Sequence, residues 1–396
     1  MSLTFGSGHF YTPKKSNNSL MTILWFLLFL DLGGALGIKY IAIFAFGVIG
    51  LLSGFRIRQT AEFLCIAFLI VFWPVFCFFF GLVKGGDFNI ALTQLTPFFC
   101  AAIILFTFLR YEQKDVLVGF YNAGLMLAIL VHLIFILWII IPEFWVSFFG
   151  EIGGNLHGNF GIRQVMGSEI PGIYFRSTLM LVPCCIYYFL NNSYIKGVII
   201  LSALLIAWSK AGALVVLLIV FISMFDLKSN NQFRIWSIVA FVALLFLLLV
   251  LNGAAVENFT TSTYQAVVGD NYTGMVRYEH FYSLLDLWWD EPSTFIFGQG
   301  FGISFYTTAY NKWVHNIELD HLNLIRKLGL IWMVLFSAIV LSCFLKLRNS
   351  NSPLSYSNSW ALLGAFLAAG TNPLLASPIF LMYFMALINR SAYEKK

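Results

Sequence analysis

Four side chains able to move protons fall within seven positions of this chain: His315, Glu318, Asp320 and His321. A neutral imidazole can take a proton from a hydroxyl near neutral pH, so either histidine suits a general base. Glu318 and Asp320 compete for the same role. On one continuous helix, six residues turn the chain by about 240° net, so His315 and His321 could not both face one site. A capping or interface histidine is the plainer alternative for each. His132 reads as a satisfied packing residue inside a hydrophobic run.

Cations supply the complementary chemistry. Across Met275–Asp290 the apolar residues Phe281, Leu284, Leu285 and Trp288 recur at i, i+3, i+4 and i+7, an amphipathic helix by period. Arg277 lies four positions before Phe281 and is expected on the apolar face. There it should pair with a nearby Asp or Glu or point at an anionic ligand. Arg176 follows Pro171-Gly172-Ile173-Tyr174, and Lys210 occupies the tight Ser209-Lys210-Ala211-Gly212 turn. Each can be an interface anchor that snorkels. Meeting at one rim, Arg176, Lys210 and Arg277 would form a diphosphate clamp, because arginine matches phosphate oxygens bidentately and lysine adds point charge. The run Gly298-Gln299-Gly300-Phe301-Gly302 lacks the strand and following helix of a dinucleotide site. It reads as a turn in which backbone approaches something closely.

The elements that must position these groups are membrane helices. The 396 residues are 60% hydrophobic and 10% charged, which excludes a soluble globular domain. Twelve candidate spans lie near 19–34, 37–54, 61–83, 96–109, 116–141, 174–191, 195–209, 211–226, 235–252, 322–345, 358–371 and 373–389, several of them short. No cleavable signal peptide is expected, since the run after Lys14-Lys15 leads into a second span without a small-residue cleavage site. With the N-terminus inside, 14 of the 23 Lys and Arg fall on inner loops, and an even span count returns the C-terminus to that side. The expected architecture is one all-α polytopic membrane domain over 1–396 with two larger outer loops, 142–173 and 253–320. The second loop carries eight carboxylates against Arg277 and Lys312. Formal net charge of +5 therefore resides on the inner face, where it meets anionic lipid, and nucleic-acid binding is not suggested. All six cysteines fall in spans as small core residues, with no disulfide or zinc spacing.

The order of these features resembles a known family. A Ser-basic turn (Ser209-Lys210) precedes a long outer loop with Arg277, a Trp-rich helix, Pro292 and the Gly298–Gly302 run. His315-Asn316 and Leu328-Gly329-Leu330 then lead into the next span. From Ser209 to about Leu345 this is similar to the bacterial O-antigen polymerase and O-antigen ligase superfamily. The resemblance implies a GT-C-like membrane glycosyltransferase of the bacterial inner membrane, with both termini cytoplasmic and the site periplasmic. Its substrates would be undecaprenyl-diphosphate-linked oligosaccharides as donor and acceptor, with a chain-length regulator as partner and no cofactor. Arg277 and Lys210 would neutralise the diphosphate, and His315 would activate the acceptor hydroxyl. His321 or Asp320 is the alternative motif position in the more variable polymerase pattern. Arginines of the first outer loop would engage glycan, which brings in Arg163 or Arg176. Ligases generally carry Arg where this chain has Lys210, and the spacing from His315 to Gly329 is longer than in ligases. Both departures favour a polymerase, with ligation of glycan to lipid A-core as the alternative. No outward Asp-x-Asp marks a metal-using membrane glycosyltransferase.

Two other classes share the span count. A secondary transporter should show an inverted repeat and charges at mid-membrane, whereas no repeat is evident and the charges here cluster at the outer rim. A lipid-linked oligosaccharide flippase has no need of a long outer loop bearing Arg and His.

Overall fold

The computed structural model describes residues 18–30, 38–53, 61–107, 113–141, 160–164, 171–207, 209–226, 272–371 and 374–391. A helix occupies each expected range except 235–252, which lies outside the described residues. The N-terminal half contributes α1 (Asn18–Leu30), α2 (Ile38–Ser53), α3 (Ala61–Ala67), a π-helical turn (Phe68–Phe72), α4 (Trp73–Val83), α5 (Phe88–Thr107) and α6 (Gln113–Ile140). An antiparallel hairpin, β1 (Phe160–Gln164) with β2 (Pro171–Phe175), leads through a 3-10 turn (Arg176–Met180) into α7 (Leu181–Leu190), α8 (Tyr194–Ile206) and α9 (Lys210–Met224). The C-terminal half holds α10 (Tyr272–Asp290), α11 (Pro292–Phe297), the hairpin β3 (Phe305–Thr307) and β4 (Lys312–Val314), and α12 (Asp320–Leu328). It closes with α13 (Leu330–Asn349), α14 (Pro353–Ala368), a 3-10 turn (Ala369–Thr371) and α15 (Pro378–Ser391). The protein is mostly helical. Among the described residues four stretches are long and apolar enough to cross a membrane: Phe63–Val83, Phe88–Leu105, Val116–Ile140 and Leu330–Asn349.

Two spans differ from the periodicity. The helix expected at 96 starts at Phe88, because the Asp87 carboxylate accepts the Ile90 amide at 2.9 Å and caps the N-terminus. Pro97 lies inside this helix, and the Thr93 and Thr96 hydroxyls donate to carbonyls four residues back, hiding their polarity. The stretch expected at 322–345 is two helices. Gly329, with φ +90°, ends α12 and opens α13.

α1 packs along α6, α7 along α14, and α15 along α5. Buried polar groups are joined across these contacts, as an apolar surrounding demands. The Tyr121 hydroxyl donates to Asn358 Oδ1 at 2.7 Å, meets the Tyr383 hydroxyl at 3.1 Å, and its ring stacks on Tyr187 at 3.6 Å. That one residue ties α6 to α7, α14 and α15. His132 has both ring nitrogens engaged, with the Ala128 carbonyl and the Ser202 hydroxyl, as a packing residue should. Of the six cysteines five are buried, while Cys65 is exposed on α3. Its exposure departs from the expected core role, because the outside of a membrane helix is apolar without being covered by protein.

Candidate functional site: the segment from Tyr272 to Gly329

One indole joins two membrane helices beside the segment, and a second pins the segment to them. Trp332 donates to the Leu69 carbonyl at 2.8 Å, and Trp73 donates to the Leu328 carbonyl at 2.8 Å. Leu69 sits in the π-helical turn and Leu328 at the break before Gly329, so each indole meets a main-chain oxygen where regular helix is interrupted.

The Gly298–Gly302 run crosses between these elements. Gln299 and Gly300 amides donate to the Arg326 and Lys327 carbonyls, and the Phe301 amide donates to Cys77. The Gly302 amide donates to Gln94 Oε1, and Asp87 donates to the Gly302 carbonyl. A Cβ on Gly300, at φ +90°, would lie 2.5 Å from the Gly81 nitrogen, and one on Gly81 would lie 2.0 Å from the Phe301 oxygen. The close approach expected of this run is real, and its partner is protein: α4 on one side and the end of α12 on the other. Its amides are consumed there, so the run is no phosphate cradle.

On α10 the buried residues are Gly274, Val276, His280, Ser283, Leu284 and Trp288. Phe281 and Leu285 are exposed, so the packed stripe is rotated from the expected one and Arg277 sits at its edge. The reason is tertiary. His280 fits against the β3–β4 hairpin, its Nδ1 meeting the Thr307 hydroxyl at 2.7 Å and its ring edge-on to Tyr310. Burial lowers the His280 pKa, opposed by Glu318. Arg277 Nη2 pairs with Glu318 at 3.3 Å, both partly exposed, and Arg277 Nε is buried without a partner.

The hairpin ends at His315, which stands in non-helical chain before α12. Burial lowers the His315 pKa, followed by Arg326, while Asp87 and the Ile303 main chain raise it and Lys327 lowers it further. Its Nδ1 is buried and without a hydrogen-bond partner. His321 is on α12, edge-on to Phe366 at 4.9 Å, with its pKa also lowered by burial. The two histidines do have separate surroundings, but because a loop intervenes rather than by helical angle. Asp320 is fully buried at the start of α12 and accepts the Leu374 and Leu375 amides at 2.7 and 2.5 Å. Burial raises its pKa from 3.8 to about 6.

Beneath them lie two cations that the sequence reading missed. Arg326 is 0% exposed and Lys327 5%. Both belong to α12, outside the span that begins at Leu330. The Arg326 guanidinium donates to Gln299 Oε1, Asn323 Oδ1 and the Ile303 and His315 carbonyls, and lies over the Phe305 ring at 4.6 Å. Lys327 donates to Asn316 Oδ1. Burial pushes Arg326 down to about 9, and burial with Arg326 beside it pushes Lys327 down to about 7, with Asp320 opposing. The signal was present: two adjacent cations inside an apparent span at 322–345 call for a specific explanation. Asp87 and His280 were missed too.

The remaining candidates sit on other elements. Lys210 opens α9, which packs on α7, α8 and α14. Arg176 is exposed at the start of the 3-10 turn that leads into α7. Arg163 lies in β1 opposite Gly172 of β2. The structure joins Arg277 to Glu318, and His315 to Arg326. No group of three or more His, Cys, Asp or Glu with metal-binding geometry occurs among the described residues.

A curated O-antigen polymerase from Shigella flexneri is 26% identical to this chain over 337 residues. The match covers 82% of this chain and 79% of the O-antigen polymerase. No protein-family model and no solved structure matches the chain.

Proposed function

We propose that this protein is an O-antigen (surface polysaccharide) polymerase, a glycosyltransferase of the bacterial inner membrane acting on lipid-linked oligosaccharides at the periplasmic face. The observation that carries the reading is the likeness to the Shigella polymerase over 82% of the chain. Support from geometry is local: a base candidate, His315, and a cation, Arg277, belong to one outer segment pinned to the membrane helices. Within the twelve-span topology proposed from charge, the outer loops 142–173 and 253–320 face the periplasm and both termini face the cytoplasm.

The reaction is a single displacement. The hydroxyl of a sugar on one lipid-linked repeat attacks the anomeric carbon of the chain on a second carrier, and the bond to undecaprenyl diphosphate breaks with inversion. His315 takes the hydroxyl proton, its pKa held below the ordinary histidine value mainly by burial, so the ring is neutral when acceptor arrives. Arg277, Lys210 and Arg176 offset the charge developing on the diphosphate, and Arg163 engages glycan. Glu318 holds Arg277, and Asp320 anchors the chain before α15, which leaves His315 ahead of both as base. The chemistry as written uses no metal ion, and a chain-length regulator is its proposed partner.

Deletion of the gene tests the assignment. Without a polymerase, lipopolysaccharide should collapse from a ladder to core bearing a single repeat, because ligation is a separate activity. Bare core with long polymer left on its lipid carrier would make the protein a ligase instead.

A further inference from the structure

Arg326 is the most enclosed charge in the outer segment, and its contacts converge on one residue. Nη2 donates to the His315 carbonyl at 2.7 Å. Nη1 donates to the Ile303 carbonyl at 3.1 Å, and the Ile303 main chain also acts on the His315 ring, raising its pKa against the other influences there. The planar fork therefore holds the main chain of His315 and the main chain of Ile303 together. Gln299 and Asn323 oxygens complete the grip, and the Phe305 ring lies beneath the guanidinium. All four hydrogen-bond acceptors are neutral, so no carboxylate cancels the charge through these bonds, and its field reaches the imidazole. A lysine could supply the charge but not two donors at fixed separation to two strands of chain.

We infer that Arg326 is a positioning residue for His315, fixing its main chain through the His315 and Ile303 carbonyls and setting the local field in which the imidazole works. This rests on His315 being the base. The groups facing His315 are Arg326 and Lys327 from α12 and Asp87 from the turn before α5, with Ile303 as the main-chain partner. Two positive charges thus act against one negative.

The test uses the full-length protein in nanodiscs with lipid-linked repeat units isolated from the host, comparing Arg326→Lys and Arg326→Gln. Both variants should lose kcat by about 100-fold with KM little changed, as expected when a reacting group is displaced by about 1 Å. Their pH profiles should separate. Arg326→Lys keeps the charge and leaves the acid limb in place. Arg326→Gln removes a charge that lowers the His315 pKa, so the limb moves to higher pH. Titration of His315 by NMR, assigned through His315→Ala, should show the same upward move without relying on turnover. Wild-type kcat in Arg326→Lys overturns the positioning role. An unmoved limb and an unmoved NMR titration in Arg326→Gln reduce Arg326 to a structural staple and overturn the inference. Should the Gln variant not accumulate, Arg326→Lys decides alone, through kcat at unchanged melting temperature. Full activity in His315→Ala sinks the base assignment itself, whereas an inactive His315→Ala beside normal Arg326 variants sinks only the inference.

Discussion

Arg277 pairs with Glu318 at 3.3 Å in a partly exposed setting, and pairs of that kind are worth at most about 1 kcal/mol. An arriving diphosphate can therefore take the guanidinium from Glu318 at little cost. The two roles make different demands on the side chain. A simple ion pair survives replacement by lysine, whereas a bidentate phosphate contact does not. Arg277→Lys is expected to lose polymer nearly as completely as Arg277→Ala in a complementation test at equal membrane abundance; normal polymer from the lysine variant would reject the clamp. The histidines make a second contrast. His315 has its carbonyl held by Arg326 and a buried Nδ1 without a hydrogen-bond partner, while His321 sits against Phe366. Only His315→Ala should abolish activity. Burial, Arg326 and Lys327 together outweigh Asp87 and Ile303 at His315, so the acid limb of the wild-type rate should fall below the ordinary histidine range. Full activity in both alanine variants would return the role to Glu318 or Asp320.

At the scale of elements, α12 does more than its nine residues suggest. It begins on Asp320, which holds the chain ahead of α15, and ends on carbonyls that receive the Gly298–Gly302 crossing. The Asp320 carboxyl is buried, and its pKa is raised from 3.8 to about 6. A carboxyl whose pKa is higher folded than unfolded favours the fold below its unfolded value, and that contribution is lost as pH rises through the folded value. Across the shift this amounts to about 3 kcal/mol. In detergent, wild-type melting temperature should fall as pH rises from 4 to 7, and Asp320→Asn, which keeps an acceptor for both amides without the charge, should remove that slope. A wild-type profile as flat as the asparagine variant would mean that the ionised carboxylate is fully compensated.

For the whole molecule, the proposed topology has a direct consequence. Trp313 is 67% exposed on the β3–β4 hairpin, and Asn351 is exposed in the turn between α13 and α14. In that topology nine spans precede Trp313 and ten precede Asn351, so charge predicts the two on opposite sides of the membrane, which labelling can decide. In a background free of native cysteines, Trp313→Cys should react with a membrane-impermeant maleimide in cells with a permeable outer membrane. Asn351→Cys should react only once the inner membrane is opened. The reverse pattern would invert the orientation and place the outer segment in the cytoplasm.

Composition and hydrophobic run length were enough to predict an all-α membrane protein and to place a helix in eleven of the twelve ranges, because crossing or packing in lipid demands long apolar runs whatever the partners. The order of Lys210, Arg277, the glycine run and His315-Asn316 was enough to suggest the superfamily, and the Shigella relative agrees with the polymerase side of it. Period alone misjudged the face of α10, since which residues are covered depends on the hairpin that folds over His280. It also ran α12 and α13 together, since the break at Gly329 is set by the Ile296 and Phe297 backbone pressed against it. Arg326 and Lys327 lay hidden in that apparent span. A sequence shows that a charge is present; only the packed structure shows that Gln299, Ile303, Asn316 and Asn323, far apart or unremarkable in the chain, supply the oxygens that let two cations stay buried beside His315.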